Sequence, residues 1–169
     1  IVSELVMARD FVLNYYAKSV EDCARKTQVI PLYQNEMYER VKRGVFNDVL
    51  SEDWFNSRSR ILQPNPKVDQ RSGLMASQID EDTPFSTLEQ HRLLDLDGDG
   101  YAEPYIVTIE ESSRKVLRIV ARFDREEDVE RTTKGDVIRI KPTEYYTKYS
   151  FIPSPDGGIY DVGFGILLG

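Results

Sequence analysis

The chain has 169 residues, 40% of them hydrophobic and 30% charged, with a formal net charge of −7. That length suffices for one domain with a core that needs no disulfides, and the composition is ordinary for a soluble protein. The acidic balance argues against a surface that grips nucleic acid, and no apolar run is long enough for a membrane span.

The single cysteine, Cys23, excludes an internal disulfide framework. The single histidine, His91, has no Cys or second His with which to complete a zinc site, so we expect a structural role for it. The chain starts without Met and stops at the apolar run Leu167-Leu168-Gly169. We therefore expect it to be a segment of a longer polypeptide.

Short elements are predicted near the N-terminus. We expect Ile1–Met7 to end a helix, and Phe11–Tyr16 to form a strand because of its aromatic and β-branched content. Ser19 is placed to cap a short helix start at Asp22. The chain should then become extended at Thr27–Ile30.

A second helix is predicted between Asn35, a good N-cap residue, and Gly44, which stands where a C′ glycine belongs. Acid-before-base pairs at i,i+4 spacing, such as Glu39 with Arg43, indicate a solvated helix face. We expect an irregular connection over residues 51–90, because Ser51–Pro84 is rich in polar residues and prolines and shows little periodicity.

The chain from residue 91 onwards is predicted to be β-rich. Strands are expected at Tyr105–Ile109, Val116–Phe123, Val137–Lys141 and Tyr145–Ile152, separated by polar turns. With an α/β segment at 1–50, this order predicts a single α+β domain over 1–169, in which short N-terminal helices precede a largely antiparallel sheet.

The most informative stretch is an acidic loop, Asp95–Pro104, in which carboxylates alternate with other residues and two glycines allow tight turns. Oxygen ligands in this pattern suit Ca²⁺. The match to an EF-hand is partial, since position 12 is Ile106 rather than Glu. The loop more closely resembles the β-loop-β calcium loops of FG-GAP-type repeats. The candidate ligands are Asp95, Asp97, Asp99, Tyr101 through its carbonyl, and Glu103.

An alternative for this loop is an acidic turn whose Asp side chains cap backbone amides, with no cation. Enzymatic chemistry is not predicted, because the sequence has no Walker-type loop, no histidine triad and no metal-hydrolase spacing. Carboxylates could hold Mg²⁺ for a nuclease-like reaction. One contiguous loop instead indicates a structural cation.

Three stretches resemble tailed-bacteriophage portal proteins, the head-to-tail connectors. The first is the tail Tyr149–Gly169, which reads YSFIPSPDGGIYDVGFGILLG. The others are Leu94–Thr108, which is similar to the wing region of that family, and Asn14–Asp22. The resemblance touches the start, middle and end of the chain, and the tail is its most specific part.

The resemblance implies that the chain is the wing region of a longer portal subunit. Such subunits form a ring, usually a dodecamer, at one capsid vertex of the virion, after assembly in the host cytoplasm. The ring is the conduit for packaging and ejecting double-stranded DNA, which passes without sequence-specific binding. Capsid protein, terminase and head–tail adaptor proteins would be partners, and no membrane would be involved.

Ring closure needs two different patches on each subunit. The candidate interface residues are Trp54, Phe55, Tyr145, Tyr149 and Phe151. Packing within one subunit is the alternative for each of them. The other functions left open are a calcium-stabilised β-rich adhesion or carbohydrate-binding module and, less favoured, a Mg²⁺-dependent nuclease-like enzyme.

Overall fold

The structure is a computed structural model that describes residues 3–49, 84–150, 152–155 and 157–161. The strands are β1 Phe11–Leu13, β2 Lys26–Leu32, β3 Phe85–Leu94, β4 Glu103–Glu110, β5 Val116–Ala121, β6 Val129–Arg131 and β7 Val137–Ile140. One α-helix, α1 at Gln34–Lys42, and two 3₁₀ turns, Ala8–Asp10 and Glu126–Asp128, complete the elements of the described residues. The predicted α+β class is confirmed, although helices are few.

The strands form two sheets, which are mostly antiparallel. The larger sheet has the order β1-β2-β3-β4-β5, and β6 pairs with β7 in a separate two-stranded sheet. By their contacts, the residues fall into two compact units. Unit 1 comprises residues 1–28, 90–106 and 120–169, and unit 2 comprises residues 29–89 and 107–119.

The hydrophobic core of unit 2 is built around α1. Met37 and Leu117 are 0% exposed, and Leu32, Phe46 and Phe85 are buried with them. Fully burying a side chain of this size stabilises the fold by about 1.5–3 kcal/mol. This cluster is therefore the main source of stability among the described residues of unit 2.

Helix α1 begins earlier than the sequence predicts. Its N-cap is Tyr33, so the prediction of Asn35 as the cap is wrong. The carboxylate of Glu36 accepts the Tyr33 N–H at 2.8 Å, which satisfies a donor at the helix start in place of an Asn side chain. On the exposed face, Arg43 donates to Glu39 at 3.0 Å, the predicted i,i+4 pair.

The C-terminal end of α1 confirms the role predicted for Gly44. Its φ of +69° lies in the left-handed region, which a residue with a side chain rarely adopts. The Gly44 N–H reaches the Val41 carbonyl, and the Val45 N–H reaches the Arg40 carbonyl, both at 2.9 Å. This pair of bonds is the Schellman arrangement, which satisfies the last carbonyls of the helix.

The N-terminal predictions hold only in part. The described residues of Ile1–Met7 contain no helix, and the predicted strand ends at Leu13, because Tyr15-Tyr16 form a turn with solvent-exposed side chains. Because these exposed side chains do not pack on a pleated surface, their β-propensity does not stabilise a strand. Ser19 Oγ does accept the Asp22 N–H at 3.0 Å, but the bond closes a turn and starts no helix.

In the C-terminal half, the strands predicted at Tyr105–Ile109, Val116–Phe123 and Val137–Lys141 correspond to β4, β5 and β7. Strand β3 begins at Phe85, within the stretch 51–90 where an irregular connection is expected. The strand predicted at Tyr145–Ile152 is wrong for its described residues, because the backbone there joins no ladder. In the part of the chain that the structure covers, no helix has both the length and the apolar character needed to cross a membrane.

Candidate functional site

The acidic loop joins β3 to β4 within unit 1. Strand β3 ends at Leu94, the loop follows, and β4 begins at Glu103, as the sequence predicts for a loop that opens directly into a strand. Gly98 and Gly100 have φ values of +77° and +92°. These left-handed residues let the chain reverse within eight residues, because glycine has no Cβ to clash.

The aspartates of the loop cap backbone amides. Asp95 accepts the Gly98 N–H at 2.7 Å through Oδ1 and the Gly100 N–H at 3.0 Å through Oδ2. Asp97 accepts from the Asp99 N–H at 3.3 Å, and Asp99 accepts from the Tyr101 N–H at 2.7 Å. The predicted amide-capping turn is therefore present. It does not preclude a cation, since each carboxylate oxygen keeps a further lone pair.

The same three aspartates converge. Asp95, Asp97 and Asp99 each offer a carboxylate oxygen, and these oxygens all lie within 4.8 Å of one another, with all three residues exposed to solvent. Three hard oxygen donors at this spacing can hold a metal ion. The donor set of the loop therefore fits the predicted cation.

The other two predicted ligands are the Tyr101 carbonyl and Glu103, and the Glu103 side chain does not join the three-carboxylate group. The hydroxyl of Tyr101 accepts the Ile140 N–H at 2.9 Å, which ties the loop to β7. Oε2 of Glu103 is buried, and no described residue hydrogen-bonds to it. Burial raises the pKa of Tyr105 above its ordinary value of 10.0, and the negative charges of Glu103 and Asp97 add to the rise. Both charges therefore act on the Tyr105 hydroxyl.

Two of the predicted interface residues can be placed. Tyr149 is 89% exposed, while Tyr145 is partly exposed and meets His91 edge-on, with ring centroids 5.6 Å apart. Trp54, Phe55 and Phe151 lie outside the described residues.

Sequence reasoning missed a strap, residues 143–146, that lies against the sheet in unit 1. The Thr143 N–H donates to the Arg122 carbonyl at 2.8 Å, and the Tyr146 hydroxyl donates to Gln28 at 2.9 Å. The Tyr146 ring lies 4.7 Å from that of Phe11 and 4.9 Å from that of His91. Aromatic content predicts a strand here, yet these residues hold the segment through side-chain contacts rather than through a strand ladder.

Beneath the strap, two buried cations face one carboxylate. Lys26 donates from Nζ to Glu144 Oε2 at 2.6 Å, and Arg122 Nη1 lies 3.8 Å from Glu144 Oε1. The signal in the sequence is weak: Lys26 and Arg122 look like ordinary surface residues, and only the fold shows that both are buried.

Downstream of the strap, Asp161 is bound by two donors. Lys148 Nζ lies 2.7 Å from Asp161 Oδ1, and the Ser150 hydroxyl donates to Oδ2. The hydrogen bond from Lys148, followed by that from Ser150, lowers the pKa of Asp161 below its ordinary value of 3.8. These contacts fold the described part of the tail back on itself.

Comparison of the chain with protein-family models gives no match, and comparison with curated proteins gives none either.

Proposed function

We propose that this chain is the wing region of a phage portal subunit, a structural component of the ring through which double-stranded DNA is packaged and ejected. The observation that carries the proposal is the resemblance of the tail Tyr149–Gly169 to the portal family, together with that of Leu94–Thr108 and Asn14–Asp22. The acidic net charge of −7 suits a conduit on which DNA must slide without sticking.

We further propose that the acidic loop binds Ca²⁺ as a structural cation. Three oxygens no more than 4.8 Å apart all lie within about 2.8 Å of a common point, close to the Ca²⁺–oxygen distance of about 2.3–2.6 Å. Mg²⁺ demands a stricter octahedron and usually keeps several waters, so a flexible loop of protein oxygens suits Ca²⁺ better. The Tyr101 carbonyl and Glu103 are the proposed remaining protein ligands, and the cation would stiffen the β3–β4 connection.

Exposed aromatic side chains support self-association. Tyr149 is 89% exposed, and large aromatic groups at an interface bury much apolar area at a low entropy cost. We propose Tyr149 for the contact between neighbouring subunits, because it also lies in the tail that most specifically resembles the portal family. The nuclease-like alternative is less favoured, because the three aspartates occupy one contiguous loop, the arrangement of a structural cation. The adhesion alternative would share such a loop, and glycan binding distinguishes it from the portal proposal.

The test is the mass of the intact parent protein by light scattering, for wild type, Tyr149→Ser and the control Tyr16→Ser. Tyr16 is 87% exposed, so its loss removes a similar exposed ring. We expect ring-sized particles for wild type and the control, and a smaller ring fraction for Tyr149→Ser. A wild-type protein that stays monomeric, binds glycans, or cleaves plasmid with Mg²⁺ would contradict the proposal.

A further inference from the structure

The cluster of Lys26, Arg122 and Glu144 has more positive than negative charge. Lys26 is 1% exposed and Arg122 is 6% exposed, whereas the side chain of Glu144 is 39% exposed and borders the solvent. Two buried cations therefore share one carboxylate. Buried ions are normally paired, because removing a charge from water is costly.

Arg122 carries the imbalance. Lys26 Nζ donates to Glu144 Oε2 at 2.6 Å, whereas Arg122 Nη1 lies 3.8 Å from Glu144 Oε1, which is too far for a hydrogen bond. Nε and Nη1 of Arg122 are buried, and no described residue accepts a hydrogen bond from them. A guanidinium cannot shed its proton to escape the cost of burial. Its donors therefore call for an acceptor from outside the cluster.

The strap keeps these groups in place. The Thr143 N–H bonds to the Arg122 carbonyl at 2.8 Å, so Glu144 is held over the two cations. The Glu144 side chain is 39% exposed, so an incoming small group would reach the two cations past it, and residues 141–150 join no strand ladder.

We propose that Lys26 and Arg122, beside the competing carboxylate of Glu144, form a binding site for a single oxyanion, a carboxylate or phosphate group. One such anion would balance the second cation and accept the unpaired guanidinium donors, which are suited to both chemistries. Its source is either a free small anion or an acidic side chain of a second copy of this chain, which has 29 Asp and Glu residues. Binding of either anion at this site does not depend on ring formation.

The experiment uses inorganic phosphate as the probe. Calorimetric titration and thermal melts of the full chain are measured in phosphate and in chloride at equal ionic strength. The variants are Arg122→Gln, Glu144→Gln and the control Arg125→Gln, which removes an exposed arginine nearby. We expect saturable phosphate binding and a higher melting temperature in wild type and the control, and loss of both in Arg122→Gln.

Glu144→Gln keeps the proposal testable if Arg122→Gln fails to fold. Removing the competing carboxylate should lower the Kd for phosphate several-fold, because the anion then faces both cations alone. Weaker or unchanged binding in Glu144→Gln would overturn the proposal. The proposal would also be overturned if wild type has the same melting temperature in phosphate and in chloride and phosphate does not change its self-association.

Light scattering identifies the source of the anion. If the chain stays monomeric and binds phosphate, the ligand is a free anion. If copies associate and phosphate separates them, with Arg122→Gln abolishing the association, the ligand is a carboxylate of a second copy. Association that phosphate and Arg122→Gln both leave unchanged, without phosphate binding, contradicts the proposal.

Discussion

Removing charge from the acidic loop tests the cation directly. The perturbation is the double substitution Asp95→Asn with Asp99→Asn. Each Asn keeps one side-chain oxygen, which can accept the amides of Gly98 and Tyr101, and only the bond from the Gly100 N–H to Asp95 Oδ2 is lost. What is lost is two of the three negative charges that lie within 4.8 Å of one another. Calcium affinity should fall sharply, since hard cations depend on ligand charge.

The size of the effect follows from mass action. At a Ca²⁺ concentration 100 times the Kd, binding stabilises the folded state by about 2.7 kcal/mol. For a domain of this length, that corresponds to an increase in melting temperature of about 5–10 °C. We expect this increase for the wild type in Ca²⁺ relative to EDTA, a smaller one in Mg²⁺, and almost none for the double variant.

The assay is differential scanning calorimetry at constant ionic strength. The matched control is Glu126→Gln with Glu127→Gln, which removes two exposed negative charges outside the loop. The control should respond to Ca²⁺ as the wild type does. If wild-type melting curves coincide with and without Ca²⁺, the loop is only an amide-capping turn. An equal loss of response in the control would mean that Ca²⁺ acts through general screening.

Three further outcomes are expected. Ca²⁺ should lower the pKa of Tyr105, because a cation cancels the carboxylate charges that, with burial, raise this pKa. The difference in phenolate absorbance between wild type and Tyr105→Phe measures the shift. An unchanged pKa would place the cation elsewhere. Lys148 lowers the pKa of Asp161 below 3.8, so the contribution of Asp161 to stability is present above pH 3.8 and is lost as the pH falls through the lowered pKa. Asp161→Asn should therefore melt at a lower temperature than wild type at pH 6, and the difference in melting temperature should close toward pH 2. A difference that does not depend on pH would refute the assignment. Leu117→Ala, at a fully buried position, should lower the free energy of unfolding in urea by about 2–5 kcal/mol. The control Ile119→Ala, at an exposed position on the same strand, should lower it far less. Similar losses in the two variants would contradict the core described above.

Local signals explain the parts of the fold that the sequence predicts well. The acidic loop with its two glycines, the β-branched run after it and Gly44 at the end of α1 each specify a backbone conformation through a few adjacent residues. The same holds for Asp95, Asp97 and Asp99, whose alternate spacing on a tight turn brings their carboxylates together. Such features need no knowledge of distant contacts.

The errors arise where distant contacts decide. The strap at 143–146 has strand-like residues, yet its side chains bond to Gln28 and Lys26, more than 100 positions earlier in the chain. The burial of Lys26 and Arg122 depends on that packing, so no local pattern indicates it. Tyr15-Tyr16 show the converse, because strong β-formers remain in a turn when nothing packs on them.

The particle shape of the intact parent protein tests the central claim most directly. The proposed ring assembly predicts closed rings with a central channel in negative-stain images of the purified protein, because ring closure requires two different patches on each subunit. Single compact particles that persist at high protein concentration would contradict the account.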